Sequence, residues 1–233
     1  MKLAVMQPYI FPYIGYFQLI QQVDKFIFYD DVNFIKQGWI NRNRILINGE
    51  PKFINIPCVK ASSFKKILEI EHRLNEIEKQ NFLKKIKVTY SKAPFFNETF
   101  ELIEKCLTDP GKSIAELAIK SVTEISSYLN LNCEFIISSK RYSNQNLPRQ
   151  ERLIDICKQE SCDTYVNPIG GNNLYSKDAF LNENISLLYF ESEIKVYKQF
   201  KNEFVPSLSI IDVLMFVSKE EIIKTYLPNA KLI

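Results

Sequence analysis

Leu3-Ala4-Val5-Met6-Gln7-Pro8-Tyr9-Ile10-Phe11-Pro12-Tyr13-Ile14-Gly15-Tyr16-Phe17, with Lys25-Phe26-Ile27-Phe28-Tyr29-Asp30-Asp31 shortly after it, decides the fold. Residues 3–6 form an apolar run that Gln7-Pro8 stops, because proline has no N–H to give a strand ladder. Pro12 opens a helix, and Ile14, Phe17, Leu19, Ile20 and Val23 recur at helical spacing. Residues 25–29 then read as a second strand. A strand–helix–strand unit at this point predicts an α/β fold, an open, mostly parallel sheet flanked by helices.

Working outward, Asn48-Gly49 between two β-rich runs predicts a β-hairpin near 40–56. Residues 67–71 read as another strand. Helical spacing dominates from 74 up to the break at Ala93-Pro94, then 96–107 and 113–129, where Ser113 and Glu116 make a capping box. Strands are expected at 134–137, 164–166 and 185–190, and helices at 150–159, 209–217 and 219–226. No linker, repeat or low-complexity run interrupts the chain. A single α/β domain over 1–233 is therefore expected, with a helical insertion at about 72–130.

Composition narrows the function classes. The 233 residues carry a net charge of +3, with 46% hydrophobic and 24% charged residues, as in an ordinary globular protein. So small an excess of base does not point to a nucleic-acid partner. Five scattered cysteines with no C-x-x-C, and one histidine, His72, argue against a disulfide framework, a zinc site and a histidine-based triad. The thiols read as buried and inert, and His72 as a solvated surface residue at a strand end. No metal site is expected. The start lacks a signal-peptide core and no apolar run nears the ~20 residues of a membrane span, so the chain reads as cytoplasmic.

Two clusters could carry chemistry. Gln7, Tyr13, Gly15 and Tyr16 lie where the first strand feeds the first helix, the place where open α/β sheets bind anions. Tyr13 and Tyr16, three apart, could show both hydroxyls on one helix face. The second cluster follows the second strand. Asp30, Asp31 and Lys36 are its catalytic candidates, either carboxylate serving as general base. Trp39 could stack on a sugar or base, while Asn41, Arg42, Asn43 and Arg44 could hold phosphate or carboxylate. Gly170, Gly171 and Asn173, in a loop after a strand, are placed to wrap a ligand. Asp155 in its helix and Asp212 after the helix cap Ser209 read as structural groups.

These runs carry a resemblance. Gln7–Phe17 and Phe28–Ile45, together with Lys92-Ala93-Pro94-Phe95-Phe96, Glu151-Arg152-Leu153-Ile154, Asp163-Thr164-Tyr165 and Phe204-Val205-Pro206-Ser207-Leu208-Ser209-Ile210-Ile211-Asp212, resemble the blocks of the WbqC-like family over nearly the whole chain. The departure is at 167–171, where Asn-Pro-Ile-Gly-Gly replaces a Ser-Gly-containing turn. Members of that family occur in gene clusters for O-antigen and other surface polysaccharides, and some are described as aminoacyl (glycine) transferases. Tyr13-Ile14-Gly15-Tyr16 is also similar to the His-x-Gly-His opening of nucleotidyl-transferring α/β enzymes such as pantothenate synthetase, with tyrosines for both histidines. The resemblance implies an enzyme of surface-polysaccharide (O-antigen, lipopolysaccharide) biosynthesis that transfers an aminoacyl or related acyl group to the amine of a nucleotide-linked amino sugar. The donor would be an acid activated by ATP with Mg²⁺, or an acyl thioester. A non-catalytic carbohydrate- or protein-binding module is the alternative from a different class.

Overall fold

Gln7-Pro8 does end the first strand, β1 (Lys2–Met6), which pairs in parallel with β2 (Lys25–Phe28) in register Met6 to Phe28. The computed structural model describes residues 1–201 and 203–233. Six strands form one sheet in the order β5-β2-β1-β6-β7-β8, with β5 at Glu134–Ile136, β6 at Thr164–Pro168, β7 at Ser186–Ser192 and β8 at Ala230–Leu232. All pairs are parallel except β7 with β8. The hairpin of β3 (Arg42–Ile47) and β4 (Glu50–Asn55) stands apart as a two-stranded sheet.

Alternation along the strands explains why both faces are covered. Leu3, Val5, Ile27, Tyr165, Leu187 and Tyr189 point to one face, and Ala4, Phe26, Phe28, Val166 and Phe190 to the other. α1 (Ile14–Gln21) and α4 (Ile114–Tyr128) pack on the second face, with α2 (Glu76–Tyr90) and α3 (Phe96–Cys106) beyond them in the same core. α5 (Arg149–Gln159) and the short α6 (Lys177–Leu181) cover the first. The connections change faces between β1 and β6, so the switch point of a doubly wound sheet lies at the carboxyl end of β1. No described helix is long and apolar enough to cross a membrane.

Several expectations need correction. α1 starts at Ile14 rather than Pro12, because the Pro12 carbonyl accepts from Ile210 N–H at the start of α7 (Ile210–Phe216). Residues 67–71 are not a strand. They hold one 3-10 turn, Ile67–Glu69, whose N–H groups bond to Val32 and Asp30 carbonyls, so that segment packs on the β2 loop instead. Residues 219–226 begin as α8 (Lys219–Glu221) and widen into a π turn, Ile222–Tyr226. α6 and β8 went unseen, each too short to show a period. His72 is half-buried, its Nε2 3.0 Å from the Gly111 carbonyl while Nδ1 accepts from Leu74 N–H. Cys58 and Cys133 are half-buried rather than buried, and Cys106, Cys157 and Cys162 are buried.

Candidate functional site

The loop 7–13 is held rigidly at the switch point. Phe11 sits at φ 42, a strained left-handed position for a residue with a side chain, and three elements hold it there. Its N–H donates to Ser121 Oγ of α4 at 3.1 Å, and its carbonyl accepts from Asn43 Nδ2 of β3 at 2.6 Å and Ser209 Oγ at 2.8 Å. The Tyr16 hydroxyl donates to the Gln7 carbonyl at 3.1 Å, and the rings of Tyr9 and Tyr16 meet edge-on at 5.3 Å. Tyr16 is thus buried structure. The two tyrosines do not share an exposed helix face, because Tyr13 precedes the helix and its half-buried ring lies over Gly15.

A cavity of about 590 Å³ opens beside this loop. Gln7, Tyr9 and Tyr13 form one wall, Trp39, Ile40 and Asn43 another, and Met6, Ile35, Gly38 and Ser207 complete it. Burial pushes the Tyr9 and Tyr13 phenols up, so both are neutral hydrogen-bond donors near pH 7. Arg44 stands between two lining residues, its guanidinium 5.5 Å from the Trp39 ring and one Nη 3.5 Å from the Ser207 carbonyl. Its Nε is buried and has no hydrogen-bond partner among the described residues. An orphaned cationic donor of this kind favours an anion beside it.

The start of α1 is a poorer anion site than its position suggests. It has no side-chain cap and no acidic residue in its first turn. Yet a Cβ on Gly15 would lie 2.4 Å from the Tyr13 ring, so the glycine makes room for that ring. A phosphate reaches these N–H groups only with the ring turned aside.

The other sequence candidates are placed as follows. Asn41 and Ile56 bond to each other twice, Asn41 Nδ2 donating to the Ile56 carbonyl at 2.9 Å. Arg42 lies 4.5 Å over the Phe53 ring and donates to the Gly38 and Gln37 carbonyls, folding the turn before β3. Neither lines the cavity, although Arg42 donates to the carbonyl of Gly38, which does. Lys36 is exposed. Gly170 and Gly171 lie in a 3-10 turn after β6, and Asn173 is exposed beyond it; none of the three lines the cavity.

Asp30 and Asp31 sit one strand over from β1, both buried. Asp31 accepts from Arg152 Nη2 on both oxygens at 2.6 Å, from Gln145 Nε2 at 2.8 Å, and from Ser139 Oγ. Burial pushes its carboxyl up, but the Arg152, Ser139 and Gln145 donors more than reverse this and leave it below its ordinary value. Asp30 accepts on Oδ1 from Ser138 Oγ at 2.7 Å and Ser139 N–H at 3.1 Å, and burial leaves its carboxyl raised. It lines a second cavity, of about 460 Å³, with Glu69, Glu71, Glu116, Lys112 and Lys140. Neither carboxylate lines the cavity of Trp39 and Tyr13. Sequence reading passed over Tyr9, Ile35 and Ser207 as site residues. Tyr9 lay in the quoted run, whereas nothing local marks Ser207.

A doubly wound α/β protein with a mainly apolar cavity at its switch point, and beside that cavity an arginine with one nitrogen unpartnered among the described residues, is the class defined here. The sequence matches the WbqC-like protein family over residues 7–224, and the chain belongs to that family. It is similar to the uncharacterized protein Rv1507c of Mycobacterium tuberculosis (strain ATCC 25618 / H37Rv), 29% identical over 222 residues that cover 94% of this chain and 95% of the relative. No solved structure matches it.

Proposed function

We propose that the protein is an enzyme of surface-polysaccharide assembly that places an aminoacyl or related acyl group on the amine of a nucleotide-linked amino sugar. The observation that carries this reading is Arg44, whose buried Nε is unpartnered among the described residues, against Trp39 and Ser207 of the switch-point cavity's wall. A nucleotide sugar offers a matching pair of features. Its diphosphate suits the guanidinium, and its base or sugar ring suits the indole face. Tyr9 and Tyr13 then donate to sugar hydroxyls, and the Gln7 amide orients the amine.

In this reading neither carboxylate takes the amine's proton directly: both Asp31 oxygens are engaged by Arg152, and Asp30, its carboxyl raised by burial, lines the other cavity, so the proton leaves to solvent. Lys36 adds charge at the mouth. Where the donor is a free acid, ATP with Mg²⁺ supplies its activation when bound.

Thermal-shift titration against UDP- and dTDP-linked amino sugars, ATP with Mg²⁺, and coenzyme A tests the proposal. A ligand at a hundred times its Kd adds about 2.7 kcal/mol of stability. A nucleotide amino sugar should stabilise the wild type, and Arg44→Ala should weaken that binding at least about tenfold. Stabilisation by coenzyme A alone moves the reading to a thioester acyltransferase. No response to any nucleotide, with binding of free glycans, moves it to a carbohydrate-binding module.

A further inference from the structure

The segment 32–66 carries seven lysines and arginines against one acidic residue, Glu50, in a chain with 30 against 27 overall. Glu50 is itself paired with Lys52. Among the described residues, Lys36, Lys60, Lys65 and Lys66 make no ion pair. The whole molecule's basic excess is therefore gathered on the loops and hairpin at one end of the sheet.

The same loops expose large apolar side chains. Phe64 is 93% exposed, with Lys60, Lys65 and Lys66 close by in the sequence. Lys65 carbonyl accepts from Phe34 N–H, and an antiparallel bridge joins Asn33 to Lys66, so two positions along lie Ile35 and Phe64. Ile35 is 54% exposed, Trp39 46% and Phe53 49%, and Trp39 meets Phe53 ring to ring at 5.9 Å. Exposure of this kind costs free energy unless something covers it.

We propose that this end of the molecule docks on an anionic lipid membrane, with Phe64 as the inserting side chain and the lysines on the headgroups. The form of the surface favours a bilayer over a protein. Phe64 stands clear on a loop tip instead of lining a groove, and lysine stems beside it can lie along the interface with their ammonium ends at the phosphates. With the exposed Glu69 and Glu71 counted, residues 32–71 still carry seven basic side chains against three acidic ones. Because Ile35 and Trp39 also line the switch-point cavity, docking would bring that cavity's mouth to the membrane surface. The proposal is independent of which reaction the cavity performs.

Vesicle co-sedimentation tests it, with phosphatidylcholine alone and with a quarter phosphatidylglycerol, at low salt and at 0.5 M. The one tryptophan of the chain, Trp39, reports insertion through a blue shift without any added label. The full chain should bind only the anionic vesicles, and salt should weaken binding. Phe64→Ser should weaken it about tenfold, and glutamine at Lys60, Lys65 and Lys66 about fivefold for each charge removed. Phe64, Lys60 and Lys65 are exposed, and Lys66 is half-buried with its ammonium on Asn33 Oδ1, so circular dichroism should show both variants folded as the wild type. Failure to bind, equal binding to neutral vesicles, or unchanged binding by Phe64→Ser would each overturn the proposal. So would preference for a single-stranded oligonucleotide over anionic vesicles, which would reassign the aromatic and basic surface to nucleic acid.

Discussion

At the residue scale the Asp31–Arg152 pair is the most consequential contact. The two are separated by 121 positions in sequence, both are buried, and Arg152 is further fixed by Asn144 Oδ1 at 2.9 Å and by the Tyr29 ring 4.6 Å away. The acidic pair is legible in the sequence as a candidate base, whereas the burial of Asp31 against Arg152 is not. Removing Asp31 strands a buried guanidinium, which costs about 3–5 kcal/mol. Asp31→Ala should lower Tm by on the order of 10 °C, and Asp31→Ala with Arg152→Met should recover part of the loss. Because the Asp31 carboxyl lies below its ordinary value, its contribution is present above about pH 4 and is lost as pH falls through the folded-state value. Thermal melts from pH 7 to pH 3 measure that loss, and an unchanged Asp31→Ala melt would remove the pair from the account of stability.

At the element scale, α7 is tied to the rest of the molecule through one fully buried carboxylate. Asp212 accepts from Tyr90 of α2, from Tyr197 and from Gln199, each at 2.7 Å, and makes no ion pair among the described residues. Burial raises its carboxyl, and the three donors only partly offset this. The folded state therefore holds the proton to higher pH than the unfolded chain does. Stability falls as pH rises from about 4 through the raised value. Asp212→Asn should flatten that slope and melt higher than wild type at pH 8, with little difference at pH 4. Equal slopes would show that Asp212 is not the group responsible. The helix cap Ser209 was legible in the sequence, as was the hairpin, whose Asn48 and Gly49 take φ 53 and φ 80 as a tight turn requires. The Tyr90, Tyr197 and Gln199 partners were not, since nothing local links three distant donors to one acid.

At the scale of the whole molecule, one core runs from the sheet through α2, α3 and α4. We propose on this ground that the helical segment is part of a single domain. Urea unfolding followed by far-ultraviolet circular dichroism and by near-ultraviolet aromatic signals should then give coincident transitions, and two separated transitions would make the segment a unit of its own. The sequence by itself determined the alternation of strands and helices, the parallel sheet, the hairpin and the capping box of α4. These depend on periodicity, proline, glycine and caps, which act over a few residues. Only the tertiary structure decided the strand order, and with it that the switch point falls at β1 and which loops meet there. It set Arg42 and Arg44 on one face of β3 against the Trp39–Phe53 pair, it buried Tyr16 while leaving Tyr13 at the cavity, and it brought Ser207 and Arg44 together across 163 positions. Such pairings follow from how distant segments stack on the sheet, and no local pattern encodes them.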